Sequence, residues 1–256
     1  MKILVAIKQV PARDSQLKIA SSGKWIEDDD LAYEINEPDA YALEAGLQLK
    51  EKHGGEVVVV SFGPSRVAQT IREALAKGAD RAIHVQVEAG EMLDSFATAR
   101  LLAKAIETEA PDLILTGLQS DDLGYGQTGV IVAELLGWPH ATIVMEVESA
   151  GNGIRVKREL EDGWFQHLTL PLPAVLTVQS GIKKLRYATL MGIKRAKSKE
   201  VKVVDGASLG VEAASSPGFD RVYTPERRKS SQLFTGDARQ AASQLVEKLR
   251  FQARVL

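Results

Sequence analysis

Short apolar runs alternate with longer stretches of mixed polarity along most of the chain. The runs are rich in Val and Ile, and they predict strands at residues 3–7, 57–61, 81–85, 113–116 and 175–178. Continuous apolar runs are typical of strands that are buried on both faces of a sheet. Because the stretches between them have helical character, parallel crossover connections are expected. The pattern therefore predicts an open, doubly wound, mostly parallel α/β sheet.

Glycines mark the ends of the predicted helices. Four helices are expected between the strands, at residues 39–53, 65–77, 93–108 and 127–136. Gly54, Gly78 and Gly137 follow three of these helices. Glycine there supplies the left-handed residue that ends a helix, so the boundaries are set by backbone chemistry as well as by periodicity.

Residues 142–170 follow a different, alternating pattern. Polar and apolar positions alternate at 143–147, 154–158 and 165–169, and turn residues separate the three segments. Alternation is typical of strands that have one solvated face. A small antiparallel meander is therefore predicted, attached at an edge of the parallel sheet.

The C-terminal region is predicted to be an arm. Beyond Val204 the chain is rich in Gly, Ser, Ala and Pro as far as Pro217, and a helix is expected at 237–251. The apolar stripe of that helix comprises Ala241, Leu245, Val246 and Leu249. An amphipathic helix after a linker needs a partner surface to cover its stripe. We therefore divide the chain into an α/β domain at 1–220 and an arm at 221–256.

Composition narrows the range of functions. The 256 residues are 45% hydrophobic and 26% charged, which is the ordinary mixture of a globular chain. With 32 basic and 34 acidic residues, the net charge of -2 gives no support for binding nucleic acid or an anionic membrane. Cys is absent, which excludes disulfides, thiolate nucleophiles and iron–sulfur clusters. Any redox chemistry must therefore reside in a bound cofactor.

No membrane-spanning or targeting segment is evident in the sequence. The first ten residues carry one short apolar run between lysines, too short for a membrane span, and they lack a small-residue cleavage site. Direct membrane insertion is not expected. The missing transit segment favours a bacterial cytoplasm, or the mitochondrial matrix for a mature eukaryotic chain.

No pattern in the sequence predicts a catalytic or metal centre. The histidines, which have no metal-ligand spacing, are His53, His84, His140 and His167. Carboxylates at 28–30 could bind a divalent cation, but a solvated loop is the favoured interpretation. Gly-x-Ser-x-Gly and Walker motifs are both absent. We expect no catalytic residue and no metal in this chain.

A glycine-rich segment at 117–129 is the strongest candidate for a binding site. It follows the strand that ends at Thr116 and opens a helix at Gln127, the arrangement in which free amides and the positive helix end receive a phosphate. It is not a Gly-x-Gly-x-x-Gly fingerprint, so a plain turn remains an alternative. Two further strand ends, at 6–8 and 61–64, are predicted to meet it, because ligands of open α/β sheets bind beyond the carboxyl ends of the strands.

Basic residues dominate the segment from 183 to 202. Lys and Arg occur there at 183, 184, 186, 194, 195, 197, 199 and 202, opposed only by Glu200. A basic rim around Leu190 and Met191 suits docking to an acidic protein, with charge steering the encounter and an apolar side chain anchoring it. A solvated basic loop is an equal alternative. RNA binding is a third, weakened because Tyr187 is the single aromatic available for stacking.

Five ordered motifs resemble the beta subunit of electron-transfer flavoproteins. They lie at 2–10, 61–64, 76–82, 127–129 together with 138–139, and 186–190, and the match extends from residue 1 to about 205. The resemblance implies a nucleotide-binding, adenine-nucleotide-hydrolase-like fold and a heterodimer with an alpha subunit that holds most of one FAD. It also implies that electrons arrive from flavin dehydrogenases, such as the acyl-CoA dehydrogenases of fatty acid oxidation. They leave to a membrane quinone oxidoreductase, while this chain binds a structural AMP.

The resemblance also implies residue roles. Contacts to AMP fall on Ala6, Asn36, Glu37, Pro38, Asp39, Phe62, Asp122, Leu123, Gly124, Tyr125, Gly126, Gln127, Thr128, Gly129, Val130, Ile131, Val132 and Ala133. Recognition of the dehydrogenase falls on Tyr187, Ala188, Thr189, Leu190, Met191, Gly192, Ile193, Lys194 and Arg195, with Leu190 as the anchor. The terminal helix is expected to pack on the alpha subunit. None of these residues makes or breaks a bond, because the flavin carries the chemistry.

One alternative within the family stays open. Electron-bifurcating relatives oxidise NADH and bind a second FAD where others hold AMP. Tyr125 and Thr128 in the glycine-rich segment favour the AMP type. The order Asn36-Glu37-Pro38-Asp39 shifts the proline relative to many members, and Arg195 stands where some members carry a methylated lysine.

Overall fold

The computed structural model describes residues 1–28, 30–87, 94–211, 220–225 and 231–256. The chain divides into two compact units. The larger unit comprises Met1–Lys18 and Ile26–Phe219, and the smaller comprises Ile19–Trp25 and Asp220–Leu256. Among the described residues, no helix is both long and apolar enough to cross a membrane.

The larger unit alternates strands and helices over most of its length. In chain order its elements are β1 Lys2–Ala6, β2 Gln9–Pro11, β3 Tyr33–Ile35, α1 Glu37–His53, β4 Glu56–Gly63, α2 Val67–Lys77, β5 Arg81–Gln86, α3 Ser95–Ile106, β6 Leu113–Gly117, α4 Thr128–Leu136, β7 His140–Ala150, β8 Gly153–Glu159, β9 Phe165–Pro171, β10 Ala174–Val178, α5 Leu190–Ala196 and β11 Val201–Asp205. Single turns of 3-10 helix lie at Glu161–Gly163 and Gly206–Leu209.

The central sheet has nine strands in the order β11-β5-β4-β1-β6-β10-β7-β8-β9. Neighbours from β11 to β7 pair in parallel, whereas β8 and β9 continue the sheet in antiparallel pairing. The predicted doubly wound, mostly parallel sheet is therefore confirmed, and the antiparallel addition lies at one edge. Strands β2 and β3 form a separate two-stranded antiparallel ribbon.

Both faces of the sheet are covered by helices, which explains the continuous apolar runs. On one face Ile3 and Val5 of β1 belong to a core cluster with Leu43 of α1 and Ile71 of α2. On the other face Leu4 belongs to a cluster that includes residues of α3 and α4. Consecutive residues of β1 thus point into opposite cores. Full burial of each such side chain stabilises the folded state by about 1.5–3 kcal/mol.

Several predicted boundaries shift for identifiable reasons. Helix α1 begins at Glu37, two residues before the predicted start, because proline is tolerated in a first helical turn and Pro38 sits there. Helix α3 begins at Ser95 because the Asp94 side chain caps it, accepting a hydrogen bond from Ala97 N at 2.7 Å. The predicted start of that helix at 93 lies outside the described residues. Helices α2 and α4 begin two and one residues later than predicted.

The basic segment from 183 to 202 is more regular than its composition indicates. It contains α5 and the start of β11, and β11 pairs in parallel with β5 at the sheet edge. The sequence pattern missed both elements because solvated lysines and arginines interrupt the apolar periodicity. Lys202 and Val203 of β11 are exposed, because β11 is an edge strand whose two faces are only partly covered.

In the smaller unit the predicted terminal helix is present as α6, Ala238–Lys248, followed by a π-type turn at Leu249–Ala253. Asp237 caps the helix by accepting a bond from Gln240 N at 2.8 Å, and the Gln240 side-chain oxygen accepts one from Asp237 N at 3.3 Å. Within this unit Val222 N donates to Gly23 O at 2.8 Å. No residue of α6 is buried, and Leu245 and Val246 on its apolar stripe remain about half exposed.

Candidate functional site

The sheet reverses its winding direction at β1. The chain passes from β1 through α1 to β4 on one side, and it later returns through α3 to β6 on the other side. The carboxyl ends of β4, β1 and β6 therefore lie next to one another, in register at Ala6 with Val60 and at Val5 with Leu115. Open α/β sheets bind ligands beyond the strand ends at such a switch point. The three strand ends predicted to meet do so.

A glycine-rich loop at 118–127 leaves β6 at this point and leads into α4. Gly124 and Gly126 have φ angles of +66° and +63°, which glycine adopts at no steric cost. Gly129, in the first turn of α4, is buried against the ends of β6 and β10. A Cβ on Gly129 would lie 2.6 Å from both Thr116 Oγ1 and Thr177 Cγ2, so any side chain there forces α4 away from the sheet.

The first turn of α4 presents backbone amides that have no partner within the helix. Gln127 provides no side-chain cap, and the first turn holds no acidic residue. The amides of Thr128, Gly129 and Val130 precede the first helical hydrogen bond, from Ile131 N to Gln127 O at 3.0 Å. Amides of this kind, together with the positive end of the helix dipole, favour an anionic group.

A buried hydroxyl lies beside this turn. Thr177 is 2% exposed, and its Oγ1 has no hydrogen-bond partner among the described residues. A buried hydroxyl without a partner is costly, and most buried side-chain polar atoms are hydrogen-bonded. Sequence analysis did not find Thr177. Thr177 could have been found from the position of β10, because the carboxyl end of β10 lies beside that of β6 in the parallel sheet.

Side chains from β1 and α1 hold the glycine-rich loop in place. Lys8 Nζ donates to both carboxylate oxygens of Asp122 at 2.7 Å. Burial acts to raise the pKa of Asp122, but the Lys8 ammonium outweighs it and holds that pKa below its ordinary value. Asn36 is 1% exposed and bonds the loop twice, accepting from Asp121 N at 2.8 Å and donating to Gln119 O at 2.9 Å. The loop therefore has a defined shape.

Asp39 joins two of the strand ends. One carboxylate oxygen accepts from Lys8 N at 2.7 Å, and the other accepts from Gly117 N at 2.8 Å. Burial raises the pKa of Asp39 to about 7, although these backbone bonds act to lower it. Sequence analysis placed Asp39 among the ligand contacts. The structure adds that both its oxygens are already bonded to the backbone.

The remaining predicted contact residues surround the same crevice. Ala6 ends β1, Phe62 lies near the end of β4, and Glu37 pairs with Arg13 at the start of α1. Val132 and Ala133 are fully buried between α4 and the sheet, so neither residue exposes surface to a ligand.

The predicted recognition residues form a second exposed feature, which we call the docking segment, residues 187–195. Thr189 caps α5 by accepting from Gly192 N at 3.0 Å. Leu190, the first residue of α5, is 86% exposed, and Met191 is 57% exposed. Lys194 and Arg195 follow in the last turn of the same helix. An apolar tip on a basic helix is thus presented to solvent.

The structure places two of the other titratable candidates, His84 and Asp28, in structural contacts. His84 is buried with Nε2 2.9 Å from Gly63 O. Asp28 accepts from the Tyr33 hydroxyl at 3.0 Å and lies 3.8 Å from Arg66, while Asp29 is outside the described residues. Within the part of the chain that the structure describes, no group of three or more potential metal ligands is clustered.

These features define a doubly wound α/β protein with a crevice at its switch point, next to a glycine-rich loop and the first turn of a helix. The electron transfer flavoprotein domain family matches residues 24–209. An electron transfer flavoprotein subunit beta of Methylophilus methylotrophus is 40% identical, covering 94% of this chain and 96% of the relative. The subunit of that name from Mus musculus is 36% identical, covering 100% of this chain and 99% of the relative. The one from Bradyrhizobium diazoefficiens is also 36% identical, covering 100% of both chains. The chain belongs to the family of electron transfer flavoprotein beta subunits, and the resemblance of its motifs is confirmed.

Proposed function

We propose that this chain binds a structural AMP and pairs with an alpha subunit to form an electron-carrying heterodimer. One observation carries the nucleotide assignment: the uncapped first turn of α4 packs against the ends of β6 and β10, beside the switch point between β1 and β6. The names of the relatives support the flavoprotein role and the pairing.

The residues at the crevice fit a nucleoside monophosphate. The amides of Thr128, Gly129 and Val130 would hold the phosphate, helped by the Thr128 hydroxyl. Lys8 and Arg13, the nearby cations described above, are engaged by carboxylates, so backbone dipoles supply most of the attraction. Ala6, Phe62 and residues 36–39 would line the rest of the nucleotide.

The chemistry belongs to FAD on the alpha subunit, which accepts and passes on electrons when bound. This chain's own contribution is positioning. Its exposed α6 stripe, with Leu245 and Val246, suits a partner subunit that covers it. The compartment proposed for the complex is a bacterial cytoplasm, or the mitochondrial matrix for a eukaryotic chain.

The docking segment is proposed to receive flavin dehydrogenases, such as acyl-CoA dehydrogenases, before electrons leave to a membrane quinone oxidoreductase. Leu190 supplies an apolar anchor, and Lys194 and Arg195 supply charge that steers an acidic partner. Docking of this kind is transient, as a carrier between two enzymes requires.

Cofactor stoichiometry tests the proposal. The chain is co-expressed with its alpha subunit, the purified complex is denatured, and the released AMP and FAD are quantified by chromatography and absorbance. One AMP and one FAD per heterodimer is the expected result. Two FAD and no AMP would instead make the complex an electron-bifurcating flavoprotein that oxidises NADH.

A further inference from the structure

We infer that Arg186 is a positioning residue that fixes the docking segment in its binding geometry before a partner arrives. The inference rests on the proposed docking function. Arg186 immediately precedes the docking segment, and its guanidinium joins that segment to α1 through two glutamates.

The contacts of Arg186 are numerous and directional. Its Nε and Nη2 donate to the two oxygens of Glu44 at 2.8 and 3.0 Å. Its Nη1 and Nη2 also donate to the two oxygens of Glu51 at 2.5 and 3.1 Å. The Glu44 side chain is only 4% exposed, so this carboxylate depends on its cationic partner. A planar fork that serves two carboxylates at once is available to arginine but not to lysine.

The other end of the segment is fixed to α2. Arg72 Nη1 donates to Ala196 O at 2.6 Å and to Lys199 O at 3.1 Å. Lys199 Nζ in turn donates to Leu75 O at 2.9 Å and to Ala79 O, at the C-terminal end of α2. Gly192 lies so close to the Ala76 carbonyl that a Cβ there could not be accommodated.

Fixing both ends has a consequence for binding. A flexible segment must lose conformational freedom when it docks, whereas a segment already held in place does not. Tyr187 and Leu190 are 90% and 86% exposed, so their own packing contributes little to holding them. The Arg186 bonds are therefore the principal constraint at the N-terminal end of the docking segment.

The test uses the heterodimer with a purified acyl-CoA dehydrogenase as electron donor. The main variant is Arg186→Met combined with Glu44→Gln, which removes the clamp without leaving a buried charge unpaired. Arg186→Lys keeps the charge and removes the fork, and it is the milder second variant. Lys104→Met combined with Glu107→Gln removes an exposed ion pair next to α3 as a matched control.

We expect the main variant to raise the KM for the heterodimer about tenfold, with kcat and the AMP and FAD content unchanged. Arg186→Lys should give a smaller rise, and the control pair none. Wild-type KM in both Arg186 variants, alongside a raised KM in Leu190→Ala, would overturn the role of Arg186 and leave the docking function standing. Wild-type KM in Leu190→Ala as well would reject the proposed docking function itself.

Discussion

A carboxylate oxygen of Asp39 accepts a hydrogen bond from the backbone amide of Gly117 at 2.8 Å, across the point where the sheet reverses its winding. The other oxygen holds Lys8 N on the opposite side. One buried side chain thereby sets the spacing between the ends of β1 and β6. The proposed nucleotide crevice opens between these two ends.

Replacing Asp39 by Asn should weaken retention of AMP. A carboxamide has one accepting oxygen, so either Lys8 N or Gly117 N loses its partner, at a cost of about 1–3 kcal/mol. We expect at least a tenfold loss of AMP affinity, measured by isothermal titration of the nucleotide-stripped complex. Asp112→Asn is the matched control, because Asp112 also accepts from a backbone amide, that of Lys2 at 2.7 Å, but near the start of β1 and β6. Equal affinities in the two variants would contradict a bracing role for Asp39.

The buried carboxyl of Asp39 should also make stability depend on pH. Burial raises its pKa from 3.8 to about 7, so between these values the folded chain holds a proton that the unfolded chain has released. The stabilising contribution is complete below about pH 4 and is lost as pH rises through 7. The urea midpoint of the wild type, minus that of Asp39→Asn, should therefore decrease as the pH is raised from 5 to 7. Above pH 8 this difference should stay constant. If the difference between the two midpoints does not change over that pH range, Asp39 does not titrate there.

Gly129→Ala should remove AMP and lower stability. The added Cβ would meet Thr116 Oγ1 and Thr177 Cγ2 at 2.6 Å, and overpacking of this kind costs about 1–3 kcal/mol. Gly137→Ala, at the other end of α4, provides the control. Gly137 has φ +66° with open space around it, so alanine costs about 1–2 kcal/mol from backbone strain alone. Both variants should unfold at a lower urea concentration than the wild type, but only Gly129→Ala should lose nucleotide on gel filtration.

Leu190→Ala should slow electron acceptance without affecting the fold. The Leu190 side chain is 86% exposed, so its truncation should leave the free energy of unfolding within about 0.5 kcal/mol of the wild-type value. As an interface anchor it should contribute about 1–2 kcal/mol, or roughly a tenfold rise in KM for an acyl-CoA dehydrogenase. Leu17→Ala, which truncates another exposed leucine of the larger unit, should leave the KM unchanged. Equal KM values in the two variants would remove Leu190 as the anchor.

The sequence predicted the parts of the fold that depend on local chemistry. Strands such as β1 and β4 are continuous apolar runs because both of their faces are covered, and α4 ends at a left-handed glycine, Gly137, that the pattern shows directly. The parallel, doubly wound arrangement was predicted from the alternation of strands and helices. The glycine-rich loop was also located from a local pattern, because its glycines lie between a predicted strand and the start of a predicted helix.

Long-range bonds were beyond the reach of the sequence. Asp39 meets Gly117 across 78 positions, and Arg186 meets Glu44 across 142, so neither pair leaves a local periodic signal. Helix α5 and strand β11 were missed because their exposed faces are basic and conceal a short apolar pattern. Thr177 could be recognised only after the sheet order had placed β10 beside β6.

Helix α1 contacts both of the regions proposed to be functional. Its first turns carry Pro38 and Asp39 at the proposed nucleotide crevice, and Glu44 and Glu51 further along bind Arg186. The two regions are therefore fixed to one 17-residue helix. A single-residue insertion between Asp39 and Glu44 would rotate one set of contacts by about 100° relative to the other. Homologues should therefore vary in length before Asn36 and after His53, and keep the spacing inside α1 constant.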